Sequence, residues 1–250
     1  KGLFVKELEQ GMLDGRADLA VHSMKDVPVS LPEGLHVAAI LQRADPRDAL
    51  VSTRYARFAD LPPDARIGTS SLRRQCQIKR HLPACQIHVL RGNVNTRLAK
   101  LDTGEFDALI LAAAGLVRLG FVERIREYLP PAFSLPAIGQ GAIGIECRRD
   151  DAFCNALLQN LHDPATGDCV AAERAMNARL QGGCQVPIAG FAELHGEQIH
   201  LRGLVGTPDG QTVLYAERHG LRHDSVALGV AVAEDLLAQG AARILQALYA

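Results

Sequence analysis

Tryptophan is absent from this sequence, and aromatic residues make up only 4% of its 250 positions. Stacking platforms for single-stranded nucleic acid are therefore scarce. No apolar run approaches the roughly 20 residues a helix needs to cross a bilayer. Net charge is also nearly absent: at −1 the chain has no general pull toward a polyanion or a membrane surface. The six cysteines are Cys76, Cys85, Cys147, Cys154, Cys169 and Cys184. None forms a C-x-x-C pair and no histidine stands at zinc-finger spacing from them, so the usual structural zinc sites are excluded and no metal is expected. Most of them read as buried, reduced thiols of a cytoplasmic protein. No internal repeat or low-complexity tract is visible.

Hydrophobic residues at 48% suffice for a real core, and the length leaves room for two or three domains. Phe4–Leu13 reads as an amphipathic helix, Leu19–His22 as a short strand, and Ser23–Asp26 as a turn before Pro28. A further strand spans His36–Leu41, and Asp45–Asp48 reads as a turn that crosses into a second domain. There a strand–helix rhythm sets in. A strand ends at Arg66–Gly68, and Ser70 or Ser71 caps a helix to about His81. A strand over Gln86–Leu90 is followed by a helix over Val94–Leu101. An apolar strand over Asp107–Leu111 precedes a helical turn at Gly115–Leu119. Alternating units of this kind predict a parallel sheet covered on both faces, with ligands at the carboxyl ends of its strands. The Pro/Gly-rich stretch Leu135–Gly144 reads as a return crossing, followed by a strand to Cys147. A helix over about Asp168–Leu180 leads to a Gly182-Gly183-Cys184 turn. Strands over Pro187–Leu194, Ile199–Val205 and Thr212–Glu217 then form antiparallel hairpins. Helices over Ser225–Ala238 and Ala242–Tyr249 close the chain. The expected class is α/β: two doubly wound lobes plus a C-terminal α+β domain with an antiparallel sheet. The expected domains are 1–42 with 141–160, then 46–136, then 164–250.

The charge is uneven. From Arg66 to Arg118 nine basic residues face only Asp102, Glu105 and Asp107, which points to a local anionic ligand. Thr69-Ser70-Ser71 at a helix start offers caps, yet Arg73 and Arg74 in that first turn oppose the macrodipole. Either an anion is shared between the free N–H groups and the guanidiniums, or the turn is solvated and tolerates the charge. Arg91 and Arg97 flank a second such turn, where Gly92 lets backbone approach a ligand, and Arg118 follows the third strand. The alternative is that these arginines line an ordinary surface. Asp26, beside Lys25, could serve as a general acid or stabilise a cation; a turn-capping aspartate before Pro28 is the simpler reading. Cys184 stands on a loop suited to covalent attachment, but the loop alone does not distinguish it from the other cysteines. His22 could line a pocket but reads as a packed or solvated residue, and Glu173-Arg174 as part of an intrahelical or interdomain ion pair.

Four motifs, VHSMKDVP at Val21–Pro28, GTSSLRR at Gly68–Arg74, LRGNVNTR at Leu90–Arg97 and GGCQVP at Gly182–Pro187, together resemble the porphobilinogen deaminase family from end to end. The resemblance implies an enzyme of tetrapyrrole (haem) biosynthesis. It would join porphobilinogen units head to tail, with loss of ammonia, to give hydroxymethylbilane. It implies a dipyrromethane cofactor held by a thioether to Cys184 and extended as a primer. By the same resemblance Ser23, Lys25, Thr69, Ser71, Arg73 and Arg74 hold the cofactor. Arg91, Arg97 and Arg118 meet substrate or the growing chain. Asp26 is the catalytic aspartate, helping ammonia leave and stabilising the cation that forms. The implied fold has two lobes like a type II periplasmic binding protein and a third domain carrying the cysteine loop. A cytoplasmic monomer, without nucleic-acid or membrane partners, is expected. The chain opens at Lys1, without methionine and inside an amphipathic pattern, which leaves a leader segment open. Family members carry a preceding segment that supplies a strand, a helix and active-site residues, so a protein starting at Lys1 is expected to have an incomplete first sheet and no activity. Two other readings compete: a two-lobed binding protein for small dicarboxylates, which has no need of Cys184, and the effector domain of a DNA-binding regulator.

Overall fold

The computed structural model of the chain describes residues 2–183 and 186–248. Three sheets organise it. In the first, β1 (Leu19–Ser23), β2 (Leu35–Ile40) and β8 (Ile143–Arg148) lie in the order β1-β8-β2, with β8 antiparallel to both neighbours. The strand that returns late in the chain thus sits between two that came early. Helix α1 (Gly2–Leu13) covers one face through Met12, packed on Ala20 and Leu35. Helix α5 (Ala152–Gln159) puts Leu158 against Ala39, Ile145 and Cys147.

The central sheet has the order β5-β4-β6-β3-β7, from β3 (Asp48–Val51), β4 (Arg66–Gly68), β5 (Gln86–His88), β6 (Ala108–Ala112) and β7 (Ile125–Leu129). The expected parallel sheet is present only over β5-β4-β6; β3 is antiparallel to both β6 and β7, so the sheet is mixed. The sequence reading passed over β3 and β7 and took Asp48 for a turn. All four residues of β3 are buried, so no alternation of polar and apolar positions announces the strand. Its neighbours share themselves between two clusters. Leu50, Ile67, Ala108 and Ile110 pack on one face, and Ala49, Val51, Leu109 and Leu111 on the other.

Between strands run α2 (Leu72–His81), α3 (Val94–Asp102) and α4 (Ala113–Arg118). Asn93 caps α3 by accepting the Thr96 N–H at 2.9 Å. The last sheet is the meander β9 (Ile188–His195), β10 (Gln198–Gly206) and β11 (Val213–Leu221). It is covered by α6 (Pro164–Arg179), α7 (Ser225–Ala238) and α8 (Ala241–Gln246) around Met176, Leu201, Val205, Val232 and Leu236. Helix α6 begins four residues before the expected start. Asp163 accepts the Thr166 N–H at 2.8 Å, and Pro164 follows in the first turn, where its missing N–H costs nothing.

Two crossings join the first and central sheets, and they run side by side. Leu41 N–H donates to Ile143 O at 2.9 Å and Ala44 N–H to Gly141 O at 3.2 Å. Gly141 has φ +88°, and a Cβ there would lie 2.5 Å from Ala44 O, so the close approach requires glycine. Arg43, from one crossing, is forked onto the fully buried Glu173 of α6 at 2.6 and 3.2 Å. That pair ties the last sheet to the hinge.

Candidate active site

A cleft of about 800 Å³ opens where the three sheets meet. The first sheet sends in Lys25 and Asp26, held in a short 3-10 turn at the end of β1. The central sheet sends in Ser70–Arg74 from the β4–α2 turn, and Arg91, Gly92 and Arg97 from the β5–α3 turn. The last sheet contributes Arg174, Asn177, Gly182 and Gly183 from the end of α6 and the turn after it. Lys25, Arg73, Arg74, Arg91, Arg97 and Arg174 are six cations. Asp26 is the only carboxylate among the described residues that line the cleft. A recess with that imbalance favours an anionic occupant. Cys184 lies outside the described residues; its neighbours Gly182 and Gly183 are on the wall.

The turn that carries the arginine pair is locally well determined. Ser71 caps α2, its Oγ accepting the Arg74 N–H at 3.4 Å, and Thr69 Oγ1 accepts the Ser71 N–H at 3.2 Å. Ser70 Oγ donates to Leu90 O at 2.6 Å, pinning the first turn to the second. In that second turn Arg97 Nε donates to Gly92 O at 2.9 Å, and Gly92 takes φ +108°. Burial lowers the pKa of the Arg97 guanidinium.

The arginine pair is not the solvated turn of the alternative reading. Both guanidiniums are buried and share one carboxylate, Asp48, itself fully buried at the start of β3. Arg73 Nη1 lies 2.8 Å from Asp48 and 2.7 Å from Leu135 O. Arg74 Nε is 2.9 Å from Asp48, and its Nη1 donates to Ile110 O at 3.1 Å. Ser134 and Gln140 also donate to Asp48, at 2.8 and 3.0 Å. Burial pushes the Asp48 carboxyl up, but Arg73 and Arg74 outweigh it and hold the group well below the usual carboxylate range. Two cations against one anion leave a single net positive charge behind the helix start. Arg73 Nε is buried without a partner.

Three expected residues lie off the cleft wall. Ser23 is exposed at the end of β1, paired in register with Ile143. Thr69 is buried and serves the turn. Arg118 is exposed and donates from Nη2 to Gly141 O at 2.8 Å, so it belongs to the hinge, beside the cleft-lining Gln140. The sequence reading missed Asp48, Gln140 and Arg43. The one available signal was an acid directly ahead of the apolar run Ala49–Val51. Of the packed and solvated readings of His22 the structure shows the packed one, with the ring 2.8 Å from the buried Glu146.

The cleft fits a dipyrromethane. Its volume lies in the range of sites for drug-sized molecules, and its cations match rings that each bear an acetate and a propionate. Among the described residues no group of three or more His, Cys, Asp or Glu side chains could hold a metal ion.

Comparison with solved structures finds partial similarity at low identity. A putative methionine-binding lipoprotein from Bacillus subtilis is 15% identical over 65% of this chain and 77% of its own, with a TM-score of 0.44. The periplasmic VFT2 domain of BvgS from Bordetella pertussis is 16% identical over 68% and 72%, with a TM-score of 0.40. Two family models match the sequence itself. "Porphobilinogen deaminase, dipyromethane cofactor binding domain" covers residues 1–156, and "Porphobilinogen deaminase, C-terminal domain" covers residues 168–238. Between them these matches span the strands of all three sheets that enclose the cleft, and the chain belongs to the porphobilinogen deaminase family.

Proposed function

We propose that the cleft is the place where porphobilinogen units are joined, with Asp26 as the catalytic acid and Cys184 as the point of thioether attachment. The family supplies the activity, hydroxymethylbilane synthase in tetrapyrrole biosynthesis, with porphobilinogen as substrate and a dipyrromethane cofactor. The observation that supports this placement is the convergence of six cations and one acid from three sheets on a single recess, with Gly182 and Gly183 on its wall.

Joining one unit breaks the aminomethyl C–N bond of porphobilinogen and the α-C–H bond of the accepting pyrrole and forms a carbon–carbon bond; the amine leaves with one added proton as ammonia, and the α-proton lost from the accepting ring balances it. When bound, the cofactor supplies the terminal pyrrole to which new units are added. Lys25, Ser71, Arg73 and Arg74 hold its carboxylates, Arg73 and Arg74 acting through the net positive charge they keep over Asp48 and through the N–H groups at the start of α2. Ser23 and Thr69 belong to the same group, Thr69 by shaping the turn. Arg91 and Arg97 meet the carboxylates of incoming substrate, and Arg118 meets the lengthening chain from the hinge side. Asp26 stabilises the positive charge that develops as ammonia leaves.

The division into 1–42 with 141–160, 46–136 and 164–250 belongs to this proposal and is supported by the separate sheets and core clusters. So does a monomer in the cytoplasm. The five described cysteines are free thiols, which suits a reducing compartment. No described helix is long and apolar enough to cross a membrane.

Intact mass under denaturing conditions, with turnover of porphobilinogen, tests the reading. The protein should carry a covalent dipyrromethane, and Cys184→Ser should lack it. Asp26→Asn should keep the adduct and lose nearly all turnover. An adduct that survives Cys184→Ser removes the attachment site, and near-normal turnover by Asp26→Asn removes the acid.

A further inference from the structure

The segment that follows Asp26 is irregular backbone. From Val27 to Gly34 it has neither helix nor strand, and Pro28 and Pro32 contribute no N–H groups to hold it. Such a segment is mobile unless something outside it supplies partners. A catalytic carboxylate at its root needs a fixed position, since a misplacement of about 1 Å costs roughly a hundredfold in rate.

The partner comes from the last sheet. Arg174, half-buried on α6, donates from Nη1 to Val27 O at 3.2 Å and from Nη2 to Pro28 O at 2.8 Å and Val29 O at 3.2 Å. One planar fork thus takes up three successive carbonyls, which a single ammonium could not match in geometry. One helical turn earlier, the fully buried Val170 packs on Met24 and Val27, the residues on either side of Lys25-Asp26. Glu173, next to Arg174, holds Arg43 and accepts the N–H groups of Gly139 and Ala192 at 2.7 and 2.8 Å. Helix α6 is therefore anchored to the hinge on one side and grips the Asp26 segment on the other. It runs directly into the Gly182-Gly183 turn that precedes Cys184.

We propose that Arg174 is a positioning residue for Asp26. From the helix that leads to the cysteine turn, its guanidinium fixes the backbone carrying the acid and so sets the acid's place relative to the attachment site. This rests on the reading of Asp26 and Cys184 given above. The geometry separates it from a carboxylate receptor, because the three hydrogen bonds already go to main-chain oxygens. A positioning residue acts on kcat, whereas a receptor acts on KM.

The test compares the holoenzyme with Arg174→Met and Arg174→Lys, each checked for its covalent adduct by intact mass. Arg174→Met should keep the adduct, lose about 10- to 100-fold in kcat and hold KM within about threefold. Arg174→Lys, with the charge but not the fork, should recover only part of the loss. Amide hydrogen exchange should quicken over residues 27–34 in both variants and stay unchanged in β9–β11. Unaltered kcat in both variants, a raised KM at full kcat, or exchange that quickens equally through the last sheet would each overturn the proposal. If the parent protein carries no covalent adduct, the functional reading fails instead, and the exchange measurement still decides whether Arg174 holds the segment.

Discussion

At the scale of single residues, Asp48 shows how a buried charge can organise a site. Its carboxylate accepts from Arg73, Arg74, Ser134 and Gln140 with no exposure to solvent. A lone buried carboxylate would be costly; two guanidiniums and two neutral donors offset that cost. Asp48→Asn leaves two buried cations without a counter-charge and should destabilise the protein by about 3–5 kcal/mol at neutral pH, read as a lower urea midpoint. The pH dependence has a definite sign. The folded-state pKa of Asp48 lies below its ordinary value, so its contribution is complete above about pH 4 and declines as pH falls toward the folded value. The difference between parent and variant should therefore shrink in acid. A difference that stays constant from about pH 7 to about pH 3 would contradict this account. Asp48 was hidden from the sequence reading because Asp-Pro-Arg-Asp has the composition of a turn. Only pairing with β6 and β7 makes its last residue the start of a buried strand.

At the scale of elements, α2 carries the site at one end and a domain contact at the other. Its N-terminus was legible: a hydroxyl cap followed by an amphipathic run is a local signal, and Ser71 is the cap. Its far end was not. Gly210, in the turn between β10 and β11, sits so close to it that a Cβ would lie 2.6 Å from both Arg80 N and Cys76 O. Gly206 similarly faces Cys76 Sγ, and burial first, then Asp209, pushes that thiol up to about 11. The hairpin thus props the helix that holds Arg73 and Arg74. Gly104 makes a fair control, since it also has positive φ, at +80° against +70°, but has open space around it. Alanine at either position carries the backbone penalty of that region. Gly210→Ala should cost about 1–3 kcal/mol more than Gly104→Ala because it also forces the hairpin off the helix. Equal losses in chemical denaturation would show that the hairpin contact contributes nothing. The missed elements β7 and α5 are short or only partly periodic, and long-range pairing rather than local propensity secures them.

At the scale of the whole molecule, a nearly neutral protein lines a single recess with six cations and one acid, and even with Asp48 behind Arg73 and Arg74 the balance is positive. Substrate binding there should be electrostatic in part. Raising sodium chloride from about 0.05 M to about 0.5 M shortens the screening length severalfold. KM for porphobilinogen should rise with little change in kcat, and a salt-independent KM would mean that the charges are not sensed by the substrate.

The sequence by itself determined the family, through four motifs whose residues need no neighbours to be recognised. It also determined most helices and hairpins, because caps, periodicity and turn residues act over a few positions. Tertiary structure alone decided which charges count. It buried Arg73 and Arg74 against Asp48, sent Arg118 to the hinge carbonyl of Gly141, and brought Arg174 from a distant helix onto the backbone after Asp26. The reason is physical: a guanidinium's role depends on which acceptors lie within about 3 Å, and acceptors 23 to 146 residues away in the chain become neighbours only when sheets have paired.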